Sequence, residues 1–391
     1  MVAASPPGWL CCQLGAREHY VVPRALEQSG LLRELITDLW VRPGSVLRSL
    51  RSGLAGRFHP GLSSARVTAM NFDALTFELG AVRASGWRLI TRRNDWFQRS
   101  VVDQLVRNHS AANLTVFAYS YAAAEIFKVA RKRGWRTVMG QIDPGHVEER
   151  IVAELMPKGH SPAPPEYWRR WRCECDLADQ IIVNSSWSRD ALLSEGIDGK
   201  KIHVIPLAFE PTEEATTFVR SYPNAFTTER PLRVLFLGQI NYRKGAIQLF
   251  DAVKQMAGEP VEFWFVGPLQ VEIPHELKDK VRWFGVAPRS DVSRYYRDAD
   301  VFILPTFSDG FGLTQLEAQS WKLPVVASRY CGEVVKDGVN GLLLENLSPT
   351  KISNALYQLL RSPESLDAMS QNSRVDERFS LPSLAASLSS L

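Results

Sequence analysis

The residues best suited to chemistry lie between Pro305 and Ser328, in PTFSDGFGLTQLEAQSWKLPVVAS. A strand is predicted to end at Pro305, a loop to carry Asp309-Gly310-Phe311-Gly312, and a helix to start near Leu313. Two glycines just before a helix N-terminus leave backbone N–H groups open toward an anion. Glu317 follows Asp309 by eight positions, so one carboxylate comes from the loop and the other from the second turn of the helix, and both can face one cleft. Such a pair suits hydrogen bonds to vicinal hydroxyls, as in a ribose or a hexose. Taken alone, it is equally a loop acid followed by a capping or surface glutamate.

The elements that must position these groups follow a repeating grammar. From Thr115 onward, short apolar runs (TVFAY, RTVMGQI, QIIVNSS, IHVIPLA) alternate with helical patterns. The stretch PTEEATTFVRSYPNAFTTERP, from Pro211 to Pro231, is polar and proline-containing and interrupts the alternation. The grammar then restarts with LRVLFLG, a helix from Ala246 to about Met256, VEFWFVG, VRWFG, VFILPT, PVVAS and NGLLL. Strands alternating with helices imply parallel sheets covered on both faces. The expected organisation is therefore α/β with two doubly wound domains, 1–215 and 216–380, facing a shared cleft, and a C-terminal crossover helix at 381–391.

Here a resemblance enters. The Pro305–Ser328 segment resembles the E-x7-E signature of the retaining GT-B glycosyltransferases of family 4, the glycosyl transferases group 1, with Asp309 in place of the first glutamate. The resemblance implies two Rossmann-like domains, a nucleotide-sugar donor held chiefly by the second, and an acceptor on the side of the first. It implies that Asp309 contacts hydroxyls of the donor sugar, that the backbone of Gly310, Phe311, Gly312 and Leu313 approaches the sugar and phosphates, and that Glu317 holds the ribose. LFLGQINYRKG, from Leu235 to Gly245, is similar to the family's G-R-L-x3-K-G loop, which gives Lys244 the donor diphosphate and places Gly238, Gln239 and Arg243 around it; Gln239 stands where an arginine is common. Glu333, in SRYCGEVVKDG, matches an acid bordering the nucleotide base, and alone is a helix-dipole acid. In CCQLGAREHY, Gly15, Ala16 and Arg17 match a glycine loop near the diphosphate, and Arg17 and His19 read otherwise as surface residues of a first helix. In QIDPGHVEER, Asp143 stands where relatives keep a histidine near the reacting sugar, with His146 three residues on; Asp143 before Pro144 is also an ordinary turn residue. VNSSWSRDALL resembles the turn lining the cleft, with Asn184 and Ser185 at its tip.

Retaining transfer breaks a bond to a diphosphate, so the enzyme must stabilise negative charge on the leaving group. Lys244 and the glycine-loop amides fill that role in this reading, the leaving phosphate takes the acceptor proton, and neither a metal nor a resident cofactor is expected, the nucleotide sugar being a co-substrate. The catalytic candidates are thus Lys244, Asp309, Asp143 and His146. Other readings stay open: a GT-B epimerase or phosphorylase, or a catalytically weak nucleotide-sugar-binding or scaffold protein, since Asp309, Gln239 and Asp143 all depart from the family pattern.

Composition bounds the setting. With 391 residues, 46 Lys+Arg against 42 Asp+Glu and a net charge of +4, the chain is too near neutral for a protein whose main partner is nucleic acid. Five cysteines without metal-ligand spacing read as reduced thiols of a bacterial-type cytosolic protein. The start, with Pro6-Pro7 and a charge at Arg17, reads as no secretory signal, and no apolar run of about 18 residues follows. Between Arg33 and Asn108 stand twelve arginines, no lysine and six acids, with Trp40, Phe58, Trp87, Trp96 and Phe97 interleaved. Such a surface suits anionic lipid at the inner face of a membrane, nucleic acid, or simple solvation. The sum is a cytoplasmic hexosyltransferase of polysaccharide or glycolipid biosynthesis, with a nucleotide-sugar donor and a sugar-bearing, lipid-linked or small-molecule acceptor.

Overall fold

A computed structural model describes residues 8–45, 54, 56–82, 84–111 and 113–391. Pro6-Pro7 and three of the arginines counted above, Arg48, Arg51 and Arg83, lie outside them. The first sheet contains β1 (Gly8–Gln13), β2 (Leu32–Thr37), β3 (Val67–Ala69), β4 (Leu114–Tyr119), β5 (Arg136–Gly140), β6 (Gln180–Val183) and β7 (Ile202–Val204), in the order β3-β2-β1-β4-β5-β6-β7. The second contains β8 (Leu232–Leu237), β9 (Val261–Val266), β10 (Val281–Trp283), β11 (Val301–Leu304), β12 (Val325–Ser328) and β13 (Gly341–Leu344), in the order β10-β9-β8-β11-β12-β13. Every pairing between these strands is parallel. The α/β class expected from the alternation is the class found.

Continuous burial explains why the central strands were readable as apolar runs. β4 and β11 are buried at every position, as strands covered by helices on both faces must be. β2 and β3 were not readable in this way. In β2 the inward Glu34 is buried, and its carboxylate is held by His109 Nε2 at 3.0 Å, Arg66 Nε at 3.1 Å and the Thr68 hydroxyl. A buried charge faced from two other segments, Arg66 and Thr68 at β3 and His109 after a helix, breaks the apolar pattern without breaking the strand.

The order of each sheet reverses once, between β1 and β4 in the first and between β8 and β11 in the second, and loops at such switch points diverge to leave a crevice beyond the strand ends. The stretch from Pro211 to Pro231 is not a loose spacer. It holds a short helix, Glu213–Thr217, and Arg220 donates to the carbonyls of Tyr296 (2.6 Å) and Trp321 (3.0 Å), docking the stretch on the second half. The C-terminal helix Leu381–Ser389 packs instead on the first half, against the helix Val21–Gln28. Its Leu384 and Leu388 share one core with Trp9, Leu35 and Phe117 of the first half and with Phe311, Leu316 and Val334 of the second, so the apolar interior runs across both halves.

The expected basic, aromatic surface needs correction. Trp40 and Phe97 are buried, and Phe58 packs on Trp40 with ring centroids 5.2 Å apart. The exposed apolar face lies elsewhere: the helix Asn71–Gly80 and the residues after it turn Phe72, Leu79 and Val82 outward, 77 to 79% exposed, and the next helix carries the exposed Arg88 and Arg92.

Candidate active site

The second switch point assembles the charged groups. Gly245 has φ +72°, and a Cβ there would stand 2.0 Å from the carbonyl oxygen of Pro305 at the end of β11. Only glycine permits this approach, and it seats the loop after β8 directly against the loop after β11. The consequence is an ion pair between Lys244 Nζ and Asp309 Oδ2. Asn241 steadies the turn by accepting from the Lys244 N–H at 3.0 Å, and Phe307 N–H donates to the Arg243 carbonyl at 2.8 Å. Burial pushes the Asp309 carboxyl up, but the charges of Lys244 and Arg243 and the Phe311 N–H outweigh it and hold the group below its ordinary range.

Glu317 sits in the first turn of the helix Thr314–Ser320, one turn earlier than the sequence suggested. Its Oε2 accepts the Tyr296 hydroxyl at 2.7 Å, and burial raises its carboxyl despite Tyr296 and Arg289. Arg289 also reaches across to the first half, where its Nη1 lies 2.7 Å from His19 Nδ1. Burial and then the positive charge of Arg289 lower His19 to about 4, which makes its ring a neutral acceptor for that guanidinium.

The two halves meet over these loops. A Cβ on Gly310 would stand 2.2 Å from the Ile142 carbonyl and 3.4 Å from the Asp143 Cα, so the Asp309–Gly312 loop lies on the end of β5 with no room for a side chain. Arg243 Nη1 donates to the Ser308 carbonyl at 2.6 Å and pairs with Glu148 of the first half at 3.4 Å, while the Ser308 hydroxyl donates to Glu148 at 2.8 Å. Burial pushes the Glu148 carboxyl up to about 7, with Arg243 opposing and Asp143 adding to the rise. Trp187 Nε1 donates to Ser308 Oγ at 3.2 Å, and Ser186 N–H donates to Glu333 Oε1 at 2.8 Å.

The expected site residues thus divide. Lys244, Arg243, Asp309, Gly310 and Asp143 come together. Gly238 and Gly312 take positive φ, 142° and 78°, in the loops flanking the crevice, and Phe311 is buried beneath, its ring 5.9 Å from Phe379. Leu313 is the N-cap position of the following helix. Gln239 is exposed, and its side-chain oxygen accepts from Asn241 Nδ2 at 3.4 Å. Arg243 does not swing toward Gln239; it is committed to Ser308 and Glu148. Glu333 holds the N-terminus of the helix Ser186–Ser194, joining the halves. Gly15 has φ +81°, but its N–H donates to Asp38 at 2.9 Å, and Asp38 is held in turn by Arg57 at 3.0 Å. Ala16 begins a 3-10 turn rather than a regular first helix, and Arg17 is exposed with its guanidinium 5.4 Å from the Tyr119 ring. Asn184 and Ser185 are buried, bonded to Ile205 O at 2.9 Å and Ser188 N at 3.1 Å.

His146 is not part of this assembly. It lies 3.5 Å from Glu195 and 4.8 Å from the Trp168 ring, because residues two apart on a helix point to opposite sides and Glu148 is the one that faces the second half. Glu148 was missed by sequence reasoning: it carries no motif, and its role depends on Arg243, 95 positions away. Tyr296 was equally unmarked, on a helix remote in sequence from the acids.

With this geometry in hand, comparison with known proteins is informative. The family model for glycosyl transferases group 1 matches residues 223–376, which contain Lys244, Asp309 and Glu317. The D-inositol 3-phosphate glycosyltransferase of Corynebacterium kroppenstedtii is 29% identical over 290 residues, 66% of this chain and 62% of that protein. The match to the Thermobifida fusca protein of the same name is 26% identical and covers 55% of it, so the chain spans little more than half the length of these curated relatives. Anabaena HepE in complex with UDP superposes with a TM-score of 0.63 at 16% identity, covering 98% of this chain and all of that one. Sucrose-phosphate synthase from Thermosynechococcus elongatus superposes with a TM-score of 0.67 at 18% identity, covering 99% and 98%. At these identities the structures establish a shared fold.

Proposed function

We propose, from the premise that the second half of this chain belongs to the glycosyl transferases group 1 family and the whole has the GT-B fold, that the protein is a retaining, metal-independent glycosyltransferase. It moves a sugar from a nucleoside diphosphate sugar to a sugar-bearing, lipid-linked or small-molecule acceptor. The observation that carries this reading is the Lys244–Asp309 ion pair, built by two loops at the switch point of the family-matched half and lying against the end of β5 in the other half.

In the absence of donor the lysine and the aspartate satisfy each other. Donor binding exchanges these partners: Lys244 moves to the diphosphate and Asp309 to hydroxyls of the sugar. As the bond from the anomeric carbon to the diphosphate breaks, charge grows on the leaving oxygen and Lys244 neutralises it, while the new bond to the acceptor oxygen forms on the same face. The acceptor proton passes to the leaving phosphate. Lys244 supplies the positive charge for the diphosphate, and Arg243, held by Ser308 and Glu148, keeps a second cation in the same loop. Glu317, with one oxygen taken by Tyr296, keeps the other for a ribose hydroxyl. Arg17 lies on the first-half side of the cleft and serves the diphosphate from there, and the acceptor approaches on the Asp143 side.

HepE structures containing UDP and UDP-glucose favour uridine donors as the first to try. The test is thermal stabilisation by UDP-, GDP- and ADP-sugars. A donor at a hundred times its dissociation constant adds about 2.7 kcal/mol, and Glu317→Ala should abolish the shift. A native protein stabilised by none of the three classes would overturn the reading.

The exposed Phe72, Leu79 and Val82, with the exposed Arg88 and Arg92 on the following helix, support a peripheral contact with anionic lipid. No helix among the described residues is long and apolar enough to cross a membrane. Cosedimentation with phosphatidylglycerol vesicles but not phosphatidylcholine vesicles is expected, and equal recovery with both would remove this part.

A further inference from the structure

The crevice at the first switch point contains an arrangement that donor binding does not explain. Tyr121, two residues past β4, has φ +73°. A side-chain-bearing residue is strained in that left-handed region, so something must hold it there. The holder is Glu174. Its buried carboxylate accepts Tyr121 N–H at 2.6 Å on one oxygen, and Ala123 and Ala124 N–H at 2.8 and 3.2 Å on the other. These are the unpaired donors at the start of the helix Ala124–Lys132, so one buried acid both caps a helix and twists the residue before it.

The twist delivers the Tyr121 hydroxyl to Asp143 Oδ1 at 2.5 Å. The same oxygen accepts Gly145 N–H at 2.8 Å and Gln141 Nε2 at 3.2 Å, and Gln141 is itself fixed by Trp171 Nε1 at 2.9 Å. Three donors converge on Oδ1, whereas Oδ2 has no hydrogen-bond partner among the described residues. The backbone of Asp143 adjoins Gly310, so this free oxygen belongs to a residue at the edge of the donor loop. Beside it the Tyr121 ring stacks on Tyr167, centroids 4.9 Å apart at 17°, Trp168 meets both rings edge-on, and Trp87 lies 5.0 Å from Tyr167. All four rings are only partly buried. Burial and then the Asp143 carboxylate raise the Tyr167 phenol, while Arg17 opposes, so the ring lies within electrostatic reach of both charges.

We propose that Asp143 and the aromatic shelf of Tyr121, Tyr167 and Trp87 form an acceptor subsite for a saccharide ring. Asp143 Oδ2 accepts a hydrogen bond from a ring hydroxyl, and the apolar C–H face of the sugar lies on the shelf. Tyr121 and Glu174 are positioning residues that keep Oδ1 occupied and Oδ2 open. A pyranose matches this pairing of apolar face and hydroxyl edge, which a purely aliphatic acceptor does not. The assignment rests on the transferase reading and names the acceptor class within it.

The test is saturation-transfer NMR on the full chain with UDP present, using methyl glycosides of glucose, galactose, mannose and N-acetylglucosamine as probes. At least one should receive saturation on its ring C–H protons. Its affinity should fall about tenfold in Tyr167→Ala and about tenfold in Asp143→Asn. Tyr121→Phe keeps every ring contact and removes only the phenol donor, so a several-fold weakening there, with unchanged circular dichroism, separates positioning from packing. No transfer to any probe, or transfer undiminished in Tyr167→Ala, overturns the proposal. UDP stabilisation measured on the same samples distinguishes the two claims: if it persists while saccharide binding is absent, only the acceptor subsite fails, and if both are absent the transferase reading fails with it.

Discussion

The two switch points of this molecule have the same topology and are built in opposite ways. At β8/β11 the working groups come from two loops: a glycine whose Cβ would strike Pro305 presses one loop on the other, and the result is one ion pair. At β1/β4 they come from side chains on several segments, with Glu174 twisting Tyr121, Tyr121 fixing Asp143 and Gln141 tied to Trp171. Backbone apposition needs particular residue types at particular spacings. A web of side chains needs only that its members meet, and many sequences satisfy it. The second site is suited to a chemically constant partner such as a diphosphate, and the first to one that differs between proteins.

Breaking the Lys244–Asp309 pair should have the largest effect. Lys244→Ala removes the charge facing the leaving group and should lower kcat by about a hundredfold or more, measured as transfer or as slow donor hydrolysis. Retained turnover would mean that charge stabilisation lies elsewhere, with Arg243 the first alternative.

Next in size is the seam between the halves. In Gly310→Ala the new methyl would stand 2.2 Å from the Ile142 carbonyl, so the loop must lift from β5. A larger radius of gyration by small-angle X-ray scattering and a reduced thermal response to donor are expected together. If neither changes, the donor loop does not depend on its seat against the first half.

The smallest effect concerns pH. Glu148 is pushed up to about 7, against about 4.3 for an unfolded glutamate, so between those values the native state binds more protons than the unfolded state. Stability therefore falls as pH rises through this window and levels off above it. Glu148→Gln should flatten that part of the Tm profile between pH 5 and pH 8. Glu174, also pushed up to about 7 by burial, contributes in the same sense, so part of the slope should remain. An unaltered profile in Glu148→Gln would show that its carboxyl is not held in the closed cleft as described.

Much of the second site was legible in the chain itself. Lys244-Gly245 and the Asp309–Glu317 spacing are local, and β8, β9, β11 and β12 announce themselves as largely apolar runs, because strands covered on both faces bury most of their positions. β2 was not legible, because the charged Glu34 inside it is buried facing His109 and Arg66 from other elements. His146 was chosen from a segment whose second-half contact is made by Glu148, and the choice turned on helix phase, which starts from the φ +66° turn at Gly145. Gly15 was expected in a glycine loop near the diphosphate, and its N–H is spent on Asp38 from the neighbouring strand end.

The chain alone determined the two α/β halves, the place of the interruption between them, the loops that carry Lys244 and Asp309 and the helix that carries Glu317, since each depends on residues within a few turns of one another. Only the tertiary structure decided that the last helix returns to the first half, that Arg243 answers to Glu148, and that Asp143 Oδ2 is left without a hydrogen-bond partner among the described residues. Those are matters of which distant groups share a low-dielectric neighbourhood. Burial and Coulomb energies depend on distance in space, and position along the chain does not encode that distance.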